Sequence, residues 1–280
     1  MRILKTIAAT RRWRSTAAGP VVFVPTMGAL HAGHASLIEH ARREAGPKGS
    51  VIVSIFVNPT QFGPQEDLSR YPRPWAADRA LCRQLGVDAI FYPDPAEMYA
   101  PDRSTWVVEE SVSQGLCGAS RPGHFRGVAT VVLKLFLITG VDAAVFGLKD
   151  FQQCRVIARM VRDLDVPVRL VWRETVREPD GLALSSRNIY LTPEERAQAP
   201  ALRRGLLAAR AAFRKGERSA AKLRRLVEKE IATAPLGRVD YIEVVDGASL
   251  APAKKVAKGD AIALAVFFGK TRLIDNVTLA

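Results

Sequence analysis

The fold turns on VVFVPTMGALHAGHASLIEHARREA, residues 21–45. VVFV (21–24) is a short apolar run, as expected of a strand buried on both faces. From His34 to Ala45 the apolar positions Leu37, Ile38 and Ala41 fall on one helical face, so a helix is expected there. Between the two lies PTMGALHAGH, which holds two of the four histidines in the chain, His31 and His34.

The same alternation continues along the chain. RILKTI reads as a first strand running into a helix rather than as part of a targeting segment, although MRILKTIAATRRWRS is basic and acid-poor. SVIVSIFV (50–57), VDAIFYPD (87–94), TWVVEE (105–110), VDAAVFG (141–147) and VPVRLVW (166–172) predict strands. WAADRALCRQLG (75–86), GHFRGVATVVLKLFLITG (123–140) and DFQQCRVIARMVRDL (150–164) predict helices. Continuous β-branched strands separated by helices imply a parallel sheet covered on both faces, the doubly wound, Rossmann-like α/β pattern. Ligands of such sheets bind beyond the carboxyl ends of the strands.

The alternation stops near Trp172. PEERAQAPALRRGLLAARAAFRKG (193–216) and SAAKLRRLVEKEIATA (219–234) predict amphipathic helices, and VDYIEVVD, AIALAVFF and TRLIDNVTL predict three antiparallel strands. The expected organisation is a Rossmann-like domain over 1–175 and a smaller α+β domain over 176–280.

The bulk numbers set limits. The chain has 280 residues, 48% hydrophobic and 25% charged, in the ordinary range of soluble globular proteins. VATVVLKLFLITG is too short for a membrane span and is interrupted by Lys134, so a buried helix is expected and no membrane partner. The net charge of +13 raises nucleic-acid binding as a reading. Aromatics are only 7% and do not interleave with the Arg runs, which favours solvated helix faces and an anionic small substrate instead. Cys82, Cys117 and Cys154 are far apart and form no CxxC, so reduced thiols and a cytoplasmic location are expected.

The motifs point to phosphate chemistry. The helix start after PTMGALHAGH exposes unpaired N–H groups and the positive end of the dipole. Gly28 and Gly33 let backbone approach a phosphate, and two imidazoles can donate to its oxygens. A neighbouring phosphate would favour their charged form. A zinc pair would want two further ligands, which no His or Cys cluster supplies. There is no GxxxxGK[ST] and no GxGxxG after a strand, which argues against a P-loop and a dinucleotide site. In FVNPTQF (56–62), Asn58 and Gln61 are bidentate hydrogen bonders and candidates for substrate binding. SQGLCGASRPGHFRGVATVV adds Arg121, His124 and Arg126 at the start of the long helix. FGLKDFQQ (146–153) places Lys149, a point charge suited to phosphate, at a strand end, with Asp150, Gln152 and Gln153 following. REPDGLALSSRN (177–188) presents Ser185, Ser186 and Arg187 in succession at the expected domain junction.

PTMGALHAGH resembles the HxGH motif of nucleotidyl transferases and class I aminoacyl-tRNA synthetases. SSRN resembles the mobile phosphate-binding loop that partners it. In the order PTMGALHAGH, FVNPTQF, LCGASRPGHFRGV, FGLKDFQQ, REPDGLALSSRN, the set closely resembles the pantothenate synthetases, the pantoate–β-alanine ligases of vitamin B5 synthesis. The resemblance is densest over residues 22–191. It implies ATP-dependent ligation with Mg²⁺ through a pantoyl adenylate, releasing pyrophosphate and AMP, by a homodimer. It implies that Met27, Gly28, Ala29, Leu30, His31, Ala32, Gly33 and His34 form one wall of the ATP site, with His34 in the proton-donor position and His31 on the phosphates. Gly147, Leu148, Lys149 and Asp150, and Leu184, Ser185, Ser186 and Arg187, match further ATP-binding segments. Val176 matches a backbone contact to adenine. Gln61 matches a contact shared by pantoate and β-alanine, and Gln153 a pantoate ligand. Asp78 is the candidate magnesium ligand.

Two rivals make different products or none. A nucleotidyl transferase would release pyrophosphate without AMP, and would leave FVNPTQF and RPGHF unexplained. An inactive RNA-binding relative would show steeply salt-dependent RNA affinity. The joint presence of His31, His34, Lys149 and SSRN favours the ligase.

Overall fold

The computed structural model describes residues 1–64 and 66–280. Its elements are β1 (Arg2–Leu4), α1 (Ile7–Thr16), β2 (Val21–Thr26), α2 (Ala32–Ala45), β3 (Ser50–Ile55), α3 (Trp75–Gln84), β4 (Ala89–Phe91) and α4 (Pro95–Met98). There follow α5 (Cys117–Ser120), α6 (His124–Thr139), β5 (Ala143–Gly147), α7 (Phe151–Asp163), β6 (Arg169–Arg173) and α8 (Pro193–Gln198). The last elements are α9 (Ala201–Arg214), α10 (Ala220–Ile231), β7 (Gly237–Val245), β8 (Ala261–Phe268) and β9 (Thr271–Thr278). The backbone divides into two compact units. The first comprises Met1–Glu109, Arg121–Leu148 and Val156–Glu174; the second comprises Glu110–Ser120, Lys149–Arg155 and Thr175–Ala280.

In the first unit six strands form one sheet in the order β1-β4-β3-β2-β5-β6. Every pairing is parallel. The central strands β2, β3, β4 and β5 are buried on both faces, so they lack the apolar–polar alternation of a half-exposed sheet. Val22, Val24, Val51 and Val53 pack on one face with Ile38 and Ala41 of α2 and Cys82 of α3. Phe23 faces the other way and meets Phe136 of α6 edge-on, with ring centroids 6.3 Å apart. From β2 the chain steps outward to β3 and β4, then returns to place β5 on the opposite side of β2. That reversal is the topological switch point, where open α/β sheets bind ligands. The carboxyl ends flanking it are those of β2, leading into PTMGALHAGH, and β5, leading into Gly147 and Leu148.

The second unit packs α9 and α10 against the antiparallel sheet β7-β8-β9. Leu202, Leu206, Leu223, Val227, Ile242, Leu264 and Phe268 form its core. Residues 193–216 do not form the single helix expected from their pattern. Thr192 and Glu195 close a capping box on α8, and the chain breaks before α9 at Pro200, which lacks the N–H a continuous helix needs. No strand forms over 105–110 either; the Val107 N–H donates to Thr130 Oγ1 at 3.0 Å rather than to a ladder. The apolar run 128–139 lies in α6, and no helix of the described residues is long and apolar enough to cross a membrane.

Candidate active site

The loop after β2 is built from the strand outward. Thr26 Oγ1 donates to the Ser54 carbonyl on β3 (2.7 Å) and accepts the Gly28 N–H (3.1 Å). Gly28 has φ +83° and Ala29 φ +51°, so two successive residues are left-handed. For Ala29 that conformation carries a steric cost and needs support. Support comes from Asp78 on α3, whose Oδ2 accepts the Ala29 N–H (2.9 Å) and whose Oδ1 accepts the Leu30 N–H (2.8 Å). A Cβ on Gly28 would lie 3.0 Å from Asp78 Oδ2 and from Ile55 Cγ2, so glycine is required by space as well as by φ.

Asp78 is 2% exposed. Burial pushes its carboxyl above the ordinary carboxylate range, and the Leu30 and Ala29 amides pull the other way without cancelling it. The folded chain therefore holds this proton more tightly than the unfolded one. Asp78 works against stability as pH rises from the ordinary carboxylate range through the raised value. Asp78→Asn is expected to leave one of the two amides facing an NH₂ group, at a cost of about 1–3 kcal/mol for an unsatisfied buried donor, less the charge burial relieved. A lower melting temperature in magnesium-free buffer, together with a raised KM for ATP, is the expected result; a change seen only on titrating magnesium would contradict the bracing role.

At the end of the loop the two histidines cap α2 reciprocally. His31 Nδ1 accepts the Gly33 N–H at 3.1 Å, and His34 Nδ1 accepts the His31 N–H at 3.3 Å. The rings lie 4.2 Å apart between centroids. Because His31 takes the cap position, the helix begins at Ala32, two residues before the expected start. Each Nδ1 serves as an acceptor in these caps, so the compatible neutral tautomer carries its proton on Nε2. Both imidazoles are thus set as neutral Nε2–H donors.

A second cluster in the first unit surrounds residues 58–61. Asn58 is buried; its Nδ2 donates to Gln61 Oε1 (3.0 Å) and to the Gly127 carbonyl (3.2 Å). Its Oδ1 accepts from Tyr99 OH (2.7 Å) and Thr60 Oγ1 (2.9 Å). Gln61 Nε2 in turn points to Met27 Sδ at 3.1 Å, joining this cluster to the histidine loop. Asn58 thus engages both side-chain polar atoms within the protein, and one of these contacts steadies Gln61. Gly127 permits the arrangement, because a Cβ there would fall 2.4 Å from the Thr60 carbonyl oxygen. Beside it Arg121 makes a two-pronged ion pair with Glu66, both contacts at 2.7 Å, and also approaches His124 Nε2 at 3.0 Å. His124 Nδ1 lies 2.8 Å from the Gln61 carbonyl, which fixes Nδ1 as the donor and Nε2 as the acceptor from Arg121. Burial would raise the Glu66 carboxyl, but Arg121 and the Gly63 amide, acting with the charge nearby, together hold the group below its ordinary value.

In the second unit Lys149 and Asp150 lie on a single 3₁₀ turn after β5, with Lys149 Nζ 3.7 Å from Asp150 Oδ1. The next two residues divide their roles. Gln152 is buried and donates to the carbonyls of Val112 (2.9 Å) and Gly115 (2.7 Å), while its Oε1 accepts the Cys117 N–H (2.9 Å). Gln153 is half-buried on the first turn of α7. Residues 176–184 form a short hairpin: the Leu184 N–H donates to the Val176 carbonyl (3.0 Å), and Arg177 bridges Ala183. Ser185 caps the following 3₁₀ turn through its Oγ, which accepts the Arg187 N–H at 3.2 Å. Asn188 Nδ2 ties that turn back to the Ala183 carbonyl (3.1 Å).

Within the first unit, then, Met27 to His34, Asn58, Gln61 and Asp78 are brought together, and within the second Lys149, Asp150, Gln153, Val176 and Leu184 to Arg187 are each given a defined backbone. Sequence reasoning did not single out Glu66, Tyr99 and Gly127. Gly127 carried a signal, since glycine inside a helix pattern marks a close approach. Glu66 and Tyr99 act over separations that no local pattern reports.

A switch point lined by a strand–turn–helix with paired imidazoles defines the HxGH class of nucleotide-using α/β enzymes. Residues 2–278 match the family model described as pantoate-beta-alanine ligase, and the chain belongs to that family. It is 52% identical to the pantothenate synthetase of Moorella thermoacetica over 100% of this chain and 99% of that protein. A crystal structure of pantothenate synthetase from Thermus thermophilus superposes with a TM-score of 0.94 at 48% identity, covering 100% of this chain and 99% of that one. The pantoate-beta-alanine ligase of Francisella tularensis, solved with "Beta-gamma ATP and Beta-alanine", gives 0.79 at 33% identity, covering 99% and 97%.

Proposed function

We propose that the chain joins pantoate to β-alanine at the expense of ATP, through a pantoyl adenylate. The observation that carries the reading of the site is the reciprocal histidine cap, which sets both imidazoles at the carboxyl edge of β2 with Nδ1 as the acceptor and Nε2 as the donor. In the first half-reaction a pantoate carboxylate oxygen attacks the α-phosphorus and the bond to pyrophosphate breaks. Charge builds on the phosphoryl oxygens and the leaving group. His31 and His34 donate to it from neutral imidazoles, and Lys149 and Arg187 supply fixed positive charge. Such preorganised donors are each worth about 10²–10³ in rate. Gln61, steadied by Asn58, and Gln153 are assigned to the organic substrates. Gly147, Leu148 and Asp150, with Val176 and Leu184 to Ser186, are assigned to ATP.

In the second half-reaction the amine nitrogen attacks the acyl carbon, AMP leaves, and the nitrogen loses a proton. With a pKa like that of lysine, only about one amine in 2,500 is neutral at pH 7, so positioning and desolvation carry much of this step. Among the described residues no group of three or more His, Cys, Asp or Glu is placed to hold a metal ion, and both oxygens of Asp78 are engaged by amides. We read magnesium as carried largely by the triphosphate, whose oxygens and water suit its octahedral preference, with Asp78 as the carboxylate bracing the histidine loop that would join it and neutralise charge there. The homodimer is carried over from the family resemblance, and the cytoplasmic location rests on three far-apart cysteines with no CxxC. Incubation with ATP, Mg²⁺ and pantoate is expected to release pyrophosphate in a single stoichiometric burst, with AMP appearing in turnover only once β-alanine is added. Sustained turnover without AMP, or no burst, would contradict the reading.

A further inference from the structure

We propose that Asp275 and Asn276, adjacent residues of β9, are positioning residues that hold the two phosphate-facing cationic segments of the second unit. The inference rests on the assignment of Lys149 and Ser185–Arg187 to ATP. Asp275 accepts Arg177 Nη1 at 2.7 Å and Nη2 at 2.9 Å, a two-pronged pair with the carboxylate 3% exposed. Arg177 Nη1 also donates to the Gly181 carbonyl at 3.0 Å, so the guanidinium closes the hairpin that delivers Ser185 to Arg187. Asn276 Nδ2 donates to the Lys149 carbonyl at 3.0 Å, which fixes the backbone of the 3₁₀ turn carrying that lysine. Asp275 Oδ1 additionally accepts the Asn276 N–H at 2.8 Å. One carboxylate and one amide on a single edge strand thus govern two segments far apart in sequence.

The placement is costly for a purely structural device. Asp275 occupies the same side of β9 as Leu273 and Val277, both in the apolar core. Replacing a buried ion pair by packed apolar residues is often neutral or stabilising, so stability alone is a weak reason for a carboxylate there. Two-pronged guanidinium–carboxylate geometry fixes orientation, which is what a loop presenting phosphate ligands requires.

The test is a double-mutant cycle on the full-length protein, read as the rate of pyrophosphate release with ATP, Mg²⁺ and pantoate. Asn276→Ala is expected to slow this half-reaction about 10–100-fold, since a misplacement near 1 Å can cost about 100-fold. In a Lys149→Ala background the same substitution is expected to cost less than about twofold, because its route of action is already gone. An equal loss in both backgrounds, or no loss in either, overturns the proposal. If Lys149→Ala alone leaves pyrophosphate release normal, it is the assignment of Lys149 that fails. For the second arm, Arg177→Met with Asp275→Leu is expected to keep the melting temperature and to raise the KM for ATP about tenfold. Unchanged kinetics in that pair would remove Asp275 from the proposal, and the Asn276 cycle decides independently of it.

Discussion

His34→Ala is expected to slow adenylate formation by about 10²–10³-fold, the usual consequence of removing one preorganised donor from a developing oxyanion. The same change removes the acceptor for the His31 N–H, a helix-capping contact worth about 1 kcal/mol. Activity and stability are therefore both lost, and alanine alone does not separate them. His34→Glu does. Glutamate at the third helical position completes a capping box, and its charge suits a helix N-terminus, so the melting temperature is expected to stay near that of the unmodified chain. A carboxylate there repels the triphosphate, so pyrophosphate release is expected to fall below even that of His34→Ala. Stopped-flow pyrophosphate release and thermal melts on both variants check this. Near-normal turnover of His34→Glu would remove the imidazole from the chemistry.

Gly127→Ala is expected to damage both stability and substrate handling far beyond what one added methyl suggests. The new Cβ would fall 2.4 Å from the Thr60 carbonyl oxygen, 2.6 Å from its carbon and 2.8 Å from Gln61 Cα. These are backbone atoms, so either α6 or the turn at 59–61 must move. Overpacking of this kind costs about 1–3 kcal/mol, and it also breaks the Asn58–Gly127 bond that orders Gln61. A shift near 1 Å in a substrate-orienting group can cost about 100-fold in rate. We expect a lower melting temperature and a raised KM for pantoate, with ATP binding measured by calorimetry little changed. Unaltered pantoate kinetics would contradict the assignment of Gln61.

Much of the architecture was legible because the chain repeats one strong signal. β2, β3 and β5 read as continuous apolar strands, and Gly140 marked the end of α6, where it sits left-handed at φ +55°. The histidine loop was legible as a phosphate site for a local reason: both imidazoles and both glycines lie within a few residues of a strand end. The tautomer was not legible, because it depends on which ring nitrogen meets a backbone N–H. Asp78 shows the same limit more sharply. Its partners are the amides of Ala29 and Leu30, 49 and 48 residues away, and amides leave no mark in a sequence. TWVVEE failed as a strand because residue type gives strand propensity but not a neighbour to pair with. The Asp275–Asn276 pair did leave a trace, two polar residues interrupting the apolar run of TRLIDNVTL, and a buried polar pair is the more informative departure from pattern.

The most direct measurement follows one oxygen atom. Pantoate labelled with ¹⁸O in its carboxylate is incubated with ATP, Mg²⁺ and β-alanine, and the phosphate products are weighed by mass spectrometry. Attack of that carboxylate on the α-phosphorus, followed by acyl transfer to the amine, leaves one labelled oxygen in AMP and none in pyrophosphate. Label in pyrophosphate or inorganic phosphate, or unlabelled AMP alongside normal pantothenate formation, would contradict an acyl adenylate at this site.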